Sequence, residues 1–166
     1  MVNGKPAKLL SLAREISAEN PEFQAVLGPG DGNRATSAYL KRLQQRSLEA
    51  FGEDFSERKV CGDTSQAVDF YFPDEATIVE VALGLPNPAS EFEKDILKAI
   101  MAIECGYEVS HLLFISRPGA EKKCQQPGRA AIKKWALEKH GIVIEVQELA
   151  GAPRHRRQRT RGRNVA

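Results

Sequence analysis

Apolar positions recur first with a helical period and then with a period of two. Residues 7–18 (AKLLSLAREISA) place Leu9, Leu10, Leu12 and Ile16 at helical spacing. Asn20-Pro21 stops that helix, because proline pushes its predecessor out of the helical region. LGPGDGN, residues 27–33, reads as a loop. Thr36 or Ser37 can cap a second helix running to about Phe51, with Tyr39, Leu40, Leu43, Ala50 and Phe51 on its apolar side and Gly52 at its end.

Three strand-like runs follow. ERKVCG is the weakest. QAVDFYF sets Val68, Phe70 and Phe72 on one face and Asp69 and Tyr71 on the other. ATIVEVAL sets Thr77, Val79, Val81 and Leu83 against Ile78, Glu80 and Ala82. GLPNPAS breaks the chain. Asn87-Pro88, or Ser90 with Glu93 as a capping box, starts a helix that runs to about Cys105 and buries Phe92, Ile96, Ile100 and Ile103. HLLFIS (111–116) is apolar throughout, as in a strand covered on both faces. RPGAEKKCQQPG reads as a polar loop. Gly128–His140 reads as a helix centred on Ile132, Trp135 and Ala136, and IVIEVQEL (142–149) as a last strand.

The order α–α–β–β–β–α–β–α–β predicts an α/β protein with a mixed sheet flanked by helices, antiparallel at first and parallel after the crossovers. The expected organisation is a helical extension and loop over residues 1–33, one α/β domain over 34–149, and a basic tail over 150–166.

Charge adds the tail. The net charge of +2 conceals a core of 18 basic and 22 acidic residues, net −4, and six arginines after residue 150. Arg154, Arg156, Arg157 and Arg159, with Arg161 and Arg163, form a block suited to phosphates, hence to nucleic acid. A solubilising or localising end is the blander alternative. No apolar run approaches the roughly 18–20 residues of a membrane span, and the first twenty residues lack a signal-peptide pattern. Cys61, Cys105 and Cys124 are odd in number and without CxxC spacing, so a reducing, cytoplasmic setting is expected rather than disulfides or a zinc finger. Neither a phosphate-binding glycine loop nor a nucleophile elbow is present.

Candidate chemistry lies in the hairpin. Residues paired across the turn Pro73-Asp74-Glu75-Ala76 have numbers adding to 149, and Asp69 and Glu80 meet that condition. Their Cβ atoms would then be about 4.5–5.5 Å apart on one face. Like charges so placed repel, unless water screens them or a cation sits between them. Mg²⁺ suits a pair of carboxylates whose remaining positions go to water and phosphate oxygens. The bland alternative is a solvated face, but the neighbours Ala67, Tyr71, Ile78 and Ala82 are half apolar.

With Asp69 in VDFYFP, Glu80 in TIVEVAL and the order helix, three strands, helix, strand, the chain resembles the PD-(D/E)xK phosphodiesterases, the restriction-endonuclease-like superfamily. The resemblance covers about residues 36–149. It implies an αβββαβ core, here with an extra C-terminal helix and strand. It also implies metal-dependent cleavage of DNA, with Asp69 and Glu80 as ligands of Mg²⁺ or Mn²⁺, and a homodimer where both strands of a duplex are cut. The chain departs from the motif, since the lysine position two residues after the Glu is Ala82. In some members that lysine moves to the following helix, where Lys94 and Lys98 are the candidates. Their bland reading is as solvated partners of Glu91 and Asp95. Glu49 is a candidate for the glutamate that the family carries on its first helix. Ala82 equally fits a catalytically inactive relative that binds nucleic acid or a partner protein. A small interaction domain is the third reading.

Overall fold

The computed structural model describes residues 2–24, 31–86 and 91–150. Helix α1 spans Gly4–Glu19, and Tyr39 Oη donates to the Ala13 carbonyl, tying it to α2 (Asp31–Phe51). Strands β1 (Ser56–Arg58), β2 (Val68–Phe72) and β3 (Thr77–Val81) follow, each antiparallel to the next. Helix α3 (Glu91–Glu104) crosses over to β4 (His111–Ser116), which lies parallel to β3. Helices α4 (Ala120–Cys124) and α5 (Pro127–His140) lead to β5 (Val143–Glu148), parallel to β4. The sheet order is β1-β2-β3-β4-β5. The expected α/β architecture, a mixed sheet flanked by helices, is what the chain adopts.

Burial divides between the two faces of the sheet. On one, Leu9, Ile16, Tyr39 and Leu43 of α1 and α2 pack on Phe70, Phe72, Val79, Val81, Leu113 and Ile115. On the other, Phe92, Ile96, Ala99 and Ala102 of α3, with Ala136 of α5, pack on Tyr71, Ile78, Leu112, Phe114 and Ile144. The alternation predicted for β3 and most of β2 is thus the alternation between two cores.

The hairpin register is the predicted one: Phe70 pairs with Val79, Tyr71 with Ile78 and Phe72 with Thr77. The turn is a short 3-10 segment, Pro73–Glu75, closed by Ala76 in the left-handed region at φ 45°.

Several elements differ from expectation. Val68 joins the α3 side with Val60 and Cys61 instead of the face of Phe70 and Phe72. It pairs with Arg58 of β1, and the β2–β3 ladder does not reach it. The first strand takes Ser56 and leaves Val60 and Cys61 as packing residues under α3. The loop expected after β4 contains α4, because Glu148 Oε1 accepts the backbone N–H groups of Gly119 and Glu121, a partner distant in sequence. Trp135 is 45% exposed rather than core, and within α5 only Ala136 is fully covered. Helix α1 packs in the same core as one face of the sheet. Helix α2 begins at Asp31, inside the expected loop. The helix starts proposed at Asn87-Pro88 and Ser90, and the basic tail with Arg154, Arg156, Arg157 and Arg159, lie outside the described residues. Among those residues no helix is long and apolar enough to cross a membrane.

Candidate active site

Asp69 enters the site from the end of β2. The strand pairing to β3 stops at Phe70–Val79, and the next N–H of β3, that of Val81, donates to Asp69 Oδ2 at 2.7 Å. A side chain therefore takes the place of a ladder bond, which holds the carboxylate against β3. Glu80 enters from β3, on the same face as Ile78 and Ala82. The predicted juxtaposition of Asp69 and Glu80 is present, and both line one polar cleft of about 150 Å³ with Val81, Ala82, Glu91, Lys94, Asp95 and Lys98.

Helix α3 closes the cleft. Lys98 Nζ lies 3.2 Å from Glu80 Oε1 and 2.9 Å from Asp95 Oδ1. Glu80, Asp95 and Lys98 are only 2, 7 and 7% exposed, so this is an enclosed ion network and not a screened surface pair. The expectation that Lys98 and Asp95 form a solvated helix face is thereby corrected. Asp95 falls in the buried stripe Phe92, Asp95, Ile96, Ala99, Ala102, and Lys98 is one turn further on. An acid interrupting an apolar stripe is the sequence signal for both. Lys94 is exposed and lines the cleft, while Lys98 makes the contact with Glu80. Glu49 is exposed, accepts from Gln45, and does not line the cleft.

Burial sets the charge states. It is the largest influence on Glu80, and with Asp69 and Asp95 close by it pushes this carboxyl well above the usual range; Lys98 opposes the shift. Burial also raises Asp69, against the Val81 hydrogen bond, and Asp95, against Lys98. Burial works against the charge of Lys98, but Glu80 and Asp95 outweigh it and hold the ammonium above the ordinary lysine value. The lysine is a fixed cation, and the carboxyl pair has a strong tendency to share a proton.

The donor set fits a hard cation. Asp69 and Glu80 offer carboxylate oxygens from adjacent strands, and Glu91 Oε2, also at the cleft, is buried with no hydrogen-bond partner. Among the described residues no group of three or more His, Cys, Asp or Glu side chains is arranged to hold an ion. The protein would then contribute two carboxylates, and water and phosphate the remainder, as Mg²⁺ accepts.

His111, the three cysteines and Lys134 do not line the cleft. His111 Nδ1 lies 3.0 Å from Ser110 Oγ at the start of β4. Cys61 and Cys124 are buried and Cys105 exposed, all three as free thiols. Lys134 pairs with Glu138 on the solvated side of α5. No family model matches the chain, and neither a curated protein nor a solved structure matches it.

Proposed function

We propose that the protein is a metal-dependent phosphodiesterase acting on DNA, with a restriction-endonuclease-like core. The observation that carries this reading is the buried ammonium of Lys98, 3.2 Å from Glu80 and brought there by α3. It supplies the cation that Ala82 fails to supply. Asp69 and Glu80 would hold Mg²⁺ or Mn²⁺. When bound, the ion lowers the pKa of a coordinated water and offsets phosphate charge. Lys98 stabilises negative charge developing on the phosphate. Four carboxylates and two ammonium groups line the cleft, so without a metal it repels a phosphate. The arginines after residue 150 add sequence-independent affinity for the backbone. A homodimer would present two such clefts to a duplex, and a cytoplasmic setting suits three free thiols.

The test pairs calorimetric titration with Mg²⁺ and Mn²⁺ with cleavage of plasmid and single-stranded DNA. The wild type is expected to bind an ion and nick DNA, and Glu80→Gln to do neither. Ion binding without cleavage would turn the assignment to the second reading, an inactive nuclease-fold protein that binds DNA or a partner protein. The specific observation favouring that reading is Ala82, 3% exposed at the motif lysine position.

A further inference from the structure

We infer that Asp95 is a positioning residue that keeps the Lys98 ammonium in the cleft when Glu80 turns to a metal ion; this rests on the phosphodiesterase reading above. Lys98 has two carboxylate partners, and Asp95 is the nearer, at 2.9 Å against 3.2 Å. The partners differ in kind. Glu80 stands on β3 beside Asp69, where an ion would be held, whereas Asp95 stands on the same helix as Lys98, three residues before it. A divalent ion held by Glu80 would compete for the carboxylate that Lys98 uses and would repel the ammonium. With Glu80 as its sole partner, the lysine would be driven from the cleft as the site loads. Asp95 is 7% exposed and moves with the helix that carries the lysine, so its hold does not depend on the metal. An ammonium has three N–H donors. Asp95 and Glu80 each accept one, and with Glu80 engaged by an ion two would be free for a phosphate oxygen and water.

The experiment uses the full chain. Lysines are acylated with an N-hydroxysuccinimide acetate, with and without Mn²⁺, and Lys98 modification is read by mass spectrometry. Calorimetry on the same samples reports ion binding. Lys98 of the wild type is expected to stay protected in both conditions. In Asp95→Asn it is expected to be protected without metal, through Glu80, and modified once metal is bound. The matching kinetic result is a fall in kcat on the order of a hundredfold, the cost of a reacting group misplaced by about 1 Å. KM for DNA and the half-saturating Mn²⁺ concentration should be unchanged, and Asp95→Glu should recover part of the loss. The proposal is overturned if metal exposes Lys98 in the wild type, a result that needs no variant to fold. It is also overturned if Asp95→Asn cleaves like wild type, or if its metal half-saturation weakens while kcat is spared, which would make Asp95 an ion ligand. Absence of ion binding to the wild type overturns the phosphodiesterase reading itself, and this inference with it.

Discussion

Asp69 accepts a hydrogen bond from the backbone N–H of Val81 at 2.7 Å, a side chain bonding where β2 would otherwise continue its ladder to β3. One carboxylate oxygen thus fixes the hairpin, and the same side chain lines the cleft. Comparison of Asp69→Ala with Asp69→Asn isolates this role, since both remove the charge and only Asn keeps an acceptor. In metal-free protein Asp69→Ala is expected to be less stable by about 1–3 kcal/mol, the cost of a buried donor left without a partner. Urea unfolding measures it, and coincident midpoints would show that the Val81 hydrogen bond contributes nothing.

Moving the lysine tests its assignment. Lys98→Ala should lower DNA cleavage by about a hundredfold to a thousandfold, as does the loss of a donor to developing charge. Positions 82 and 98 line the same cleft, and Lys98→Ala vacates volume there. The double change Ala82→Lys with Lys98→Ala should therefore recover at least about tenfold of that loss. Cleavage no better than that of Lys98→Ala, in a protein with an unchanged melting temperature, would count against Lys98 as the replacement for the motif lysine.

Acidity should favour the metal-free fold locally. Burial, then Asp69 and Asp95, holds the Glu80 carboxyl well above its ordinary value of 4.5. A carboxyl with a raised folded pKa contributes stability that is complete below its ordinary value and is lost as pH climbs through the raised one. Asp69 and Asp95 are shifted in the same direction. Glu80→Gln removes one of these titrations, so its melting temperature should fall less steeply than that of wild type from pH 4.5 upward. Parallel profiles would mean that Glu80 titrates alike in both states.

Deleting residues 151–166 should leave the fold intact, because Leu149, 1% exposed, is the last buried side chain among the described residues. The deletion should weaken DNA binding equally across unrelated sequences and flatten the plot of log affinity against log salt. Each phosphate that the arginines no longer neutralise takes about 0.9 off that slope on duplex DNA. Salt titrations by fluorescence anisotropy decide the matter, and an unaltered slope would take the arginines out of DNA binding.

The hairpin is legible in the sequence because two local signals agree. A turn composition and an alternation of apolar residues specify the same register, and that register sets Asp69 beside Glu80. Lys98 and Asp95 are harder. A stripe drawn through Ile96, Ile100 and Ile103 puts them outside, whereas the helix buries the neighbouring line through Phe92, Ile96, Ala99 and Ala102. Which line of the helix is buried is decided by the sheet residues it packs on, and the period of the helix alone does not choose between them. Helix α4 escapes a local reading for a related reason, because its first N–H groups are satisfied by Glu148 from β5. Trp135 reads as core because a large apolar residue at helical spacing is ordinarily covered, and here it stays 45% exposed.

The close sequence spacing of Asp69, Glu80, Asp95 and Lys98 limits what a distant substitution can do to them. All four lie within one strand-turn-strand-helix stretch of chain. Their mutual arrangement is set inside that stretch, and β4 and α1 serve as its backing. A change elsewhere in the chain reaches the chemistry by loosening the backing and not by removing a participant.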